Sequence, residues 1–214
     1  MKSIELKNTL PLVLKTSDCP QSDVWNKEVT FERGRSYLVE AESGRGKSSL
    51  CSFVYGQRQD YQGTILFDGE DIRCFPLQQW TVLRRKSLSL LFQDLRLFPE
   101  LTAYENVQLK NSLTNYKTEE EIVEWFVRLG IKDKLNQYVS RMSFGQQQRV
   151  ALIRALCQPM DFLFLDEPVS HLDDDNGHVM AELITEETQR QEAGIIVTSI
   201  GKRLDLNYDY VLKL

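Results

Sequence analysis

The chain has 214 residues, a length that suits one domain with a full hydrophobic core. Its formal net charge of -5 argues against non-specific nucleic-acid binding, which depends on clustered Lys and Arg, so no nucleic-acid partner is expected. The four cysteines (Cys19, Cys51, Cys74, Cys157) form no Cys-x-x-Cys pair and have no His at ligand spacing, which argues against structural zinc and for reduced thiols.

The first seven residues lack the apolar core of a signal peptide. No apolar run approaches the roughly 20 residues of a membrane helix, so a role at a membrane would need a separate spanning subunit. Residues 36–40 form a short apolar-centred run that leads into a Gly-rich loop, and residues 48–55 then read as a helix opening. Residues 63–69 have a β-branched and aromatic centre between two glycines, which predicts a strand with a turn at each end. From about residue 94 to 159 the character changes. Ile122, Val123, Phe126, Val127 and Leu129 recur among acidic residues, predicting an amphipathic helix over 117–129 that Gly130 stops. A second helix is predicted over 147–156, before Pro159. Strand signals resume at 162–165 and 195–198, with a helix over roughly 176–191 between them, and a last strand-like run, Tyr210, Val211 and Leu212, leaves no room for a further C-terminal domain. Apolar strands separated by helices imply a parallel sheet covered on both faces.

The Gly-rich loop reads Ala41, Glu42, Ser43, Gly44, Arg45, Gly46, Lys47, Ser48. It fits the phosphate-loop pattern G-x-x-x-x-G-K-[ST] except at its first position. Phosphate needs backbone N–H groups free to curl around it, a Lys for the β/γ oxygens and a hydroxyl for Mg²⁺. Gly44 and Gly46 supply the curl, Lys47 the charge and Ser48 the metal ligand, while the following helix adds its positive end. Ser43, Arg45 and Ser49 complete the loop. A Gly/Ser turn before an ordinary helix is the bland alternative, and Lys-Ser after Gly-Arg-Gly in a strand-to-helix setting weighs against it. Ala41 strains the turn only if its φ is positive. Further on, the apolar run Phe162 to Leu165 ends in Asp166 and Glu167, then Pro168. Alone, such a pair is a common strand exit. With a phosphate loop upstream, it delivers two carboxylates to the ligand edge of a parallel sheet.

Residues 143–149 (Ser-Phe-Gly-Gln-Gln-Gln-Arg) resemble the signature motif of ATP-binding-cassette (ABC) ATPases, and residues 162–168 resemble their Walker B strand. The resemblance covers nearly the whole chain and rests on ordered motifs. It implies an α/β fold: a P-loop NTPase core with a mostly parallel sheet and a small antiparallel β region. One ABC ATPase domain spans 1–214, with its core over about 1–93 and 160–214 and a helical subdomain inserted over about 94–159. It implies ATP and Mg²⁺ as ligands. Asp166, Ser48 and Gln93 would hold the metal, and Glu167, Lys47 and Gln93 would serve catalysis. Ser143, Gly145 and Gln146 would reach the γ-phosphate bound by a second protomer, in a homodimer or heterodimer, with Asp173 crossing that interface. Residues 97–107 resemble the stretch that meets an integral membrane subunit. Among ABC ATPases the chain is most similar to the separate subunits of lipoprotein-release, macrolide-export and cell-division type systems, which implies a cytoplasmic protein, peripheral on the inner membrane face.

Besides Ala41, three features depart from the family pattern. Phe144 replaces a glycine of the signature. Ser199 stands where relatives carry a histidine, and its hydroxyl can bond a phosphate oxygen but offers no cationic donor. No aromatic residue precedes Trp25, which reads as a core tryptophan more readily than as an adenine-stacking one. The chain therefore reads as an ATP-hydrolysing subunit that couples dimerisation to work on a membrane partner. The alternatives are a slow ATP-binding regulatory subunit and, less favoured, a soluble ABC ATPase acting on DNA or ribosomes.

Overall fold

The computed structural model describes residues 1–14, 22–169 and 174–214. A four-stranded antiparallel sheet, in the order β2-β1-β4-β5, is built from β1 (Ser3–Pro11), β2 (Glu28–Glu32), β4 (Tyr61–Phe67) and β5 (Glu70–Asp71). A five-stranded parallel sheet, in the order β6-β7-β8-β3-β9, is built from β3 (Ser36–Glu40), β6 (Leu88–Leu91), β7 (Phe162–Asp166), β8 (Gly194–Ser199) and β9 (Tyr210–Lys213). Helix α1 (Lys47–Val54) follows β3, and α2 (Leu77–Lys86) precedes β6. Three helices, α3 (Ala103–Asn111), α4 (Glu119–Arg128) and α5 (Phe144–Leu156), lie between β6 and β7, and α6 (Asp174–Gln191) joins β7 to β8.

Strand alternation divides the core. On β7, Phe162 and Phe164 point to one side, where they meet α1 (Leu50, Phe53) and the antiparallel sheet (Ile4, Phe31, Ile65). Leu163 and Leu165 point to the other side, against α3 to α6. Every residue of β7 and β8 is buried, as a parallel sheet covered on both faces requires.

The helix predicted over 117–129 forms as α4, and Thr118 with Glu121 makes a capping box at its start. Its inner face differs from the expected one. Ile122, Trp125, Phe126 and Leu129 are buried, whereas Val127 is exposed. Spacings of three and four residues put Trp125, not Val127, on the stripe facing the core. The helix predicted over 147–156 begins three residues earlier, because Ser143 caps it.

The strand predicted over 63–69 is shifted to Tyr61–Phe67, so Gly63 lies inside it rather than at a turn. Its φ is +81°, and an added Cβ would lie 2.2 Å from the Asn8 carbonyl oxygen, where the β1 register slips between Lys7 and Leu10. A bulge passing this close admits only glycine. The second glycine does make a turn. Asp68 and Gly69 both take positive φ and join β4 to β5 as a two-residue hairpin.

Candidate active site

Parallel register brings the functional loops to one edge. Glu40 pairs with Ser199, Asp166 with Thr198 and Leu91 with Leu165. The Gly-rich loop, the stretch carrying Gln93, the Asp166-Glu167 pair and Ser199 therefore leave the sheet side by side, at the carboxyl ends where open α/β sheets take ligands.

Gly44 and Gly46 both adopt positive φ (+80° and +95°), and Gly46 is the N-cap of α1. Ala41 lies outside the left-handed region, so its Cβ costs the turn nothing. Trp25 is buried under the loop, its indole N–H donating to the Arg45 carbonyl oxygen at 3.0 Å and its ring edge-on to Phe53. A Cβ on Gly46 would sit 3.2 Å from that ring. Trp25 is thus a strut for the loop, with its faces inside the core.

Lys47 is the first residue of α1, and its ammonium donates to the Ala41 and Glu42 carbonyls, both at 2.9 Å. Glu167 lies 3.8 Å from it. Burial pushes Lys47 below the ordinary lysine range, and Glu167 and Asp166 act in the opposite direction. The Ser48 hydroxyl donates to Gln93 Oε1 at 3.4 Å, and Gln93 Nε2 donates to Glu167 Oε2 at 3.1 Å. One glutamine therefore bridges the hydroxyl of the phosphate loop to the carboxylate after β7.

Glu167 has a φ of +53°, a conformation that L residues seldom adopt. Its N–H is held by Thr198, through both the carbonyl (3.1 Å) and the hydroxyl (3.3 Å). The same hydroxyl donates to Asp166 Oδ1 at 2.6 Å. Thr198 thus orients both carboxylate residues. Its sequence signal was only a hydroxyl at the end of an apolar strand, facing the Asp166 position across parallel register. Beneath them, burial and the nearby Asp166 push the Cys51 thiol well above its ordinary value, so it packs as an inert group.

The other expected residues are placed as follows. Ser43 and Gly44 are exposed at the loop tip, and Arg45 pairs with Glu42 at 3.6 Å. The Ser49 side chain turns away from the loop and accepts from Arg58 at 3.1 Å. Ser143 and Gln146 close a capping box on each other's backbone, with Gly145 between them and Phe144 exposed in the first turn. That cluster forms a second group, apart from the Lys47, Ser48, Gln93 and Glu167 cluster. Ser199 is buried, and its hydroxyl donates to the Lys202 carbonyl oxygen. Asp173 lies outside the described residues, as does His171, which by its place in the same loop reads as a polar interface residue rather than a catalyst.

Two side chains of α5 that sequence reading left without a role connect these groups. Gln148 is buried and donates to the Pro168 carbonyl, just after Glu167. Arg154 donates to the carbonyls of Leu95 and Arg96, consecutive residues with φ of +57° and +47°, just after Gln93. The signature helix thus holds both neighbouring loops.

The donors also fit a hard cation. Ser48 Oγ, Gln93 Oε1 and Asp166 are all oxygen ligands. Among the described residues, no group of three or more His, Cys, Asp or Glu side chains could hold a metal ion alone.

Known proteins resemble this chain over most of its length. The family model described as ABC transporter matches residues 25–170. The ABC transporter ATP-binding protein YtrE of Bacillus subtilis is 31% identical over 195 residues, covering 86% of this chain and 84% of that protein. The lipoprotein-releasing system ATP-binding protein LolD of Buchnera aphidicola is 29% identical over 172 residues, covering 79% and 75%. Among solved structures, the dimeric bacterial ABC transporter cassette MJ0796 superposes with a TM-score of 0.76 at 24% identity, over 91% of this chain and 87% of that one. A bacterial Atm1-family ABC exporter with ATP bound gives a TM-score of 0.76 at 21% identity, over 100% of this chain and 37% of that one.

Proposed function

Because the chain belongs to the ABC transporter family, we propose that it is an ATP-binding and ATP-hydrolysing subunit that closes as a dimer around nucleotide and works on a separate membrane subunit. The observation that carries this reading is the Gln93 bridge between Ser48 and Glu167, beside Lys47 and Asp166. These groups meet at one sheet edge and offer what phosphoryl transfer needs: a cation, a hydroxyl and a carboxylate that can hold a metal ion, and a carboxylate that can act as general base.

Lys47 exchanges the Ala41 and Glu42 carbonyls for β/γ-phosphate oxygens. Ser48, Gln93 and Asp166 would hold Mg²⁺, which would offset charge on the phosphate oxygens. Glu167, its backbone fixed by Thr198 and its carboxylate by Gln93, orients the attacking water and takes up its proton. Ser143, Gly145 and Gln146 present a helix N-terminus to the γ-phosphate held by the second protomer, of the same or another chain. The helical segment of about 94–159 carries that signature and, through residues 97–107, meets the membrane subunit. The protein then sits on the cytoplasmic face of the membrane through that subunit. LolD, named for a lipoprotein-releasing system, offers one kind of work for such a complex.

A slower, clamp-like action is the second reading, and the placement of Ser199 favours it. This side chain is buried and committed to Lys202, so the γ-phosphate gains neither a cationic donor nor a free hydroxyl there. Single-turnover hydrolysis of MgATP, compared with the Glu167→Gln variant, tests both readings. An ATPase subunit turns over as wild type and accumulates as an ATP-loaded dimer as Glu167→Gln. A clamp gives stable ATP-bound dimers already as wild type. If neither protein binds ATP or dimerises, the proposal fails.

A further inference from the structure

The N–H groups of a phosphate loop cradle the α- and β-phosphates, so ribose and base rest on whatever surface borders the loop away from Gln93 and Glu167. One border is a hollow of about 560 Å³ whose lining includes the charged residues Glu40, Glu42, Arg45 and Lys213, a poor match for an uncharged base. The other is a single 3₁₀ turn, Leu12–Leu14, that continues from β1. It touches the loop at the N-cap of α1, where a Cβ on Gly46 would lie 3.4 Å from Leu14 Cδ1. Leu14 packs on the core, and the Leu12 N–H donates to the Asp60 carbonyl at 2.9 Å. Pinned at both ends, the turn holds Leu12 and Val13 outward, 47% and 66% exposed. They form an aliphatic ledge beside the cradle.

The aromatic rings of this region face inward. Trp25 packs edge-on to Phe53 and Phe53 against Tyr61, and each of the three is at most 5% exposed. Residues 15–21, which continue from the ledge, include no Phe, Tyr or Trp. The charged pair next to the turn is closed on itself. Arg58 Nε donates to Asp60 at 2.9 Å, Nη1 donates to Ser49 Oγ at 3.1 Å, and the guanidinium lies over the Phe53 ring. A base gains affinity from a π-face and selectivity from groups that bond its edge. Leu12 and Val13 supply neither, and they offer every base the same dispersion contact.

We propose that the base of a bound nucleotide rests on Leu12 and Val13, unstacked and with its edge unread, so that this site takes nucleoside triphosphates as a class and not ATP alone. This rests on the reading that residues 41–48 hold the phosphates of a nucleotide.

Equilibrium dialysis of the protein against the Mg²⁺ complexes of the β,γ-imido analogues of ATP, GTP, CTP and UTP tests the ledge without turnover. The four dissociation constants should agree within about tenfold. Val13→Tyr supplies a ring and should tighten binding by about tenfold, most for the two purines. Leu12→Ser combined with Val13→Ser removes the aliphatic contact and should weaken all four about equally, by roughly threefold or more. Both positions are exposed, so these variants should keep the wild-type circular dichroism. An ATP analogue bound more than about tenfold tighter than the other three would overturn the proposal and leave the phosphate-loop reading intact. The same holds if the double serine variant binds all four as wild type does, since the base then lies elsewhere. Failure of all four to bind wild type would overturn the phosphate-loop reading and the ledge together.

Discussion

Lys110→Met removes a cation that folding takes partly out of water without giving it, among the described residues, a carboxylate partner, so the isolated chain should become more stable at neutral pH. Lys110 falls from its ordinary 10.5 to about 8, chiefly through burial. At about 1.4 kcal/mol per unit, the charged form carries a penalty on the order of 3 kcal/mol. Methionine keeps the apolar stem but forfeits the bond to the Arg84 carbonyl, about 1 kcal/mol. The net gain is about 2 kcal/mol, or roughly 4–8 °C in Tm for a chain of this size. The sign has a pH signature. A base whose pKa drops on folding binds fewer protons folded than unfolded, so wild-type stability from this group rises as pH climbs from about 8 to 10.5. The variant lacks that rise, and its advantage should be full below pH 8 and should shrink toward pH 9.5. Arg84, Arg154, Arg96 and Tyr55 surround Lys110 in both proteins, so their own titration cancels in the difference. Urea unfolding of both proteins at pH 7, 8 and 9.5 measures it. A variant less stable at pH 7, or an advantage that stays constant to pH 9.5, would refute the account of an uncompensated cation.

Two further outcomes test other parts of the structure. Lys47→Ala should abolish tight ATP binding in equilibrium dialysis while the circular dichroism stays unchanged; unchanged affinity would remove the phosphate-loop assignment. Gly63→Ala should cost about 3 kcal/mol or more, because its Cβ meets the Asn8 carbonyl oxygen at 2.2 Å where φ is +81°. A denaturation midpoint within error of wild type would mean that the β1 bulge yields easily.

The parts of this chain that were legible in its sequence are those where one residue type answers one physical demand. Phosphate needs glycines, a lysine and a hydroxyl in a fixed order, and buried parallel strands need unbroken apolar runs, so 41–48 and 162–167 could be read directly. Other features depended on tertiary partners. Val127 is as apolar as Trp125, and only the helix phase relative to the core decides which is buried. Gly63 looked like a turn because its reason lies 55 residues away, in the bulge at Asn8. Strands β1 and β2 were not read at all, since β1 is irregular about that bulge and β2 shows one buried residue, Phe31. Thr198, Gln148 and Arg154 act through hydrogen bonds to distant carbonyls and carboxylates, and nothing local marks them.

The strut under the phosphate loop also gives the protein an optical channel. Of its three tryptophans, Trp80 is enclosed by Phe67 and Phe75, and Trp125 lies beneath the Lys117 ammonium at 4.3 Å. Among the described residues, only Trp25 has its indole N–H tied to a loop carbonyl, that of Arg45. Any rearrangement of that loop changes the hydrogen bonding and local field at one chromophore and spares the other two. Emission from this single ring should therefore follow nucleotide arrival in real time, with no label and no substitution. Trp25→Phe, which keeps an aromatic wedge against Phe53, would silence the signal and identify its source.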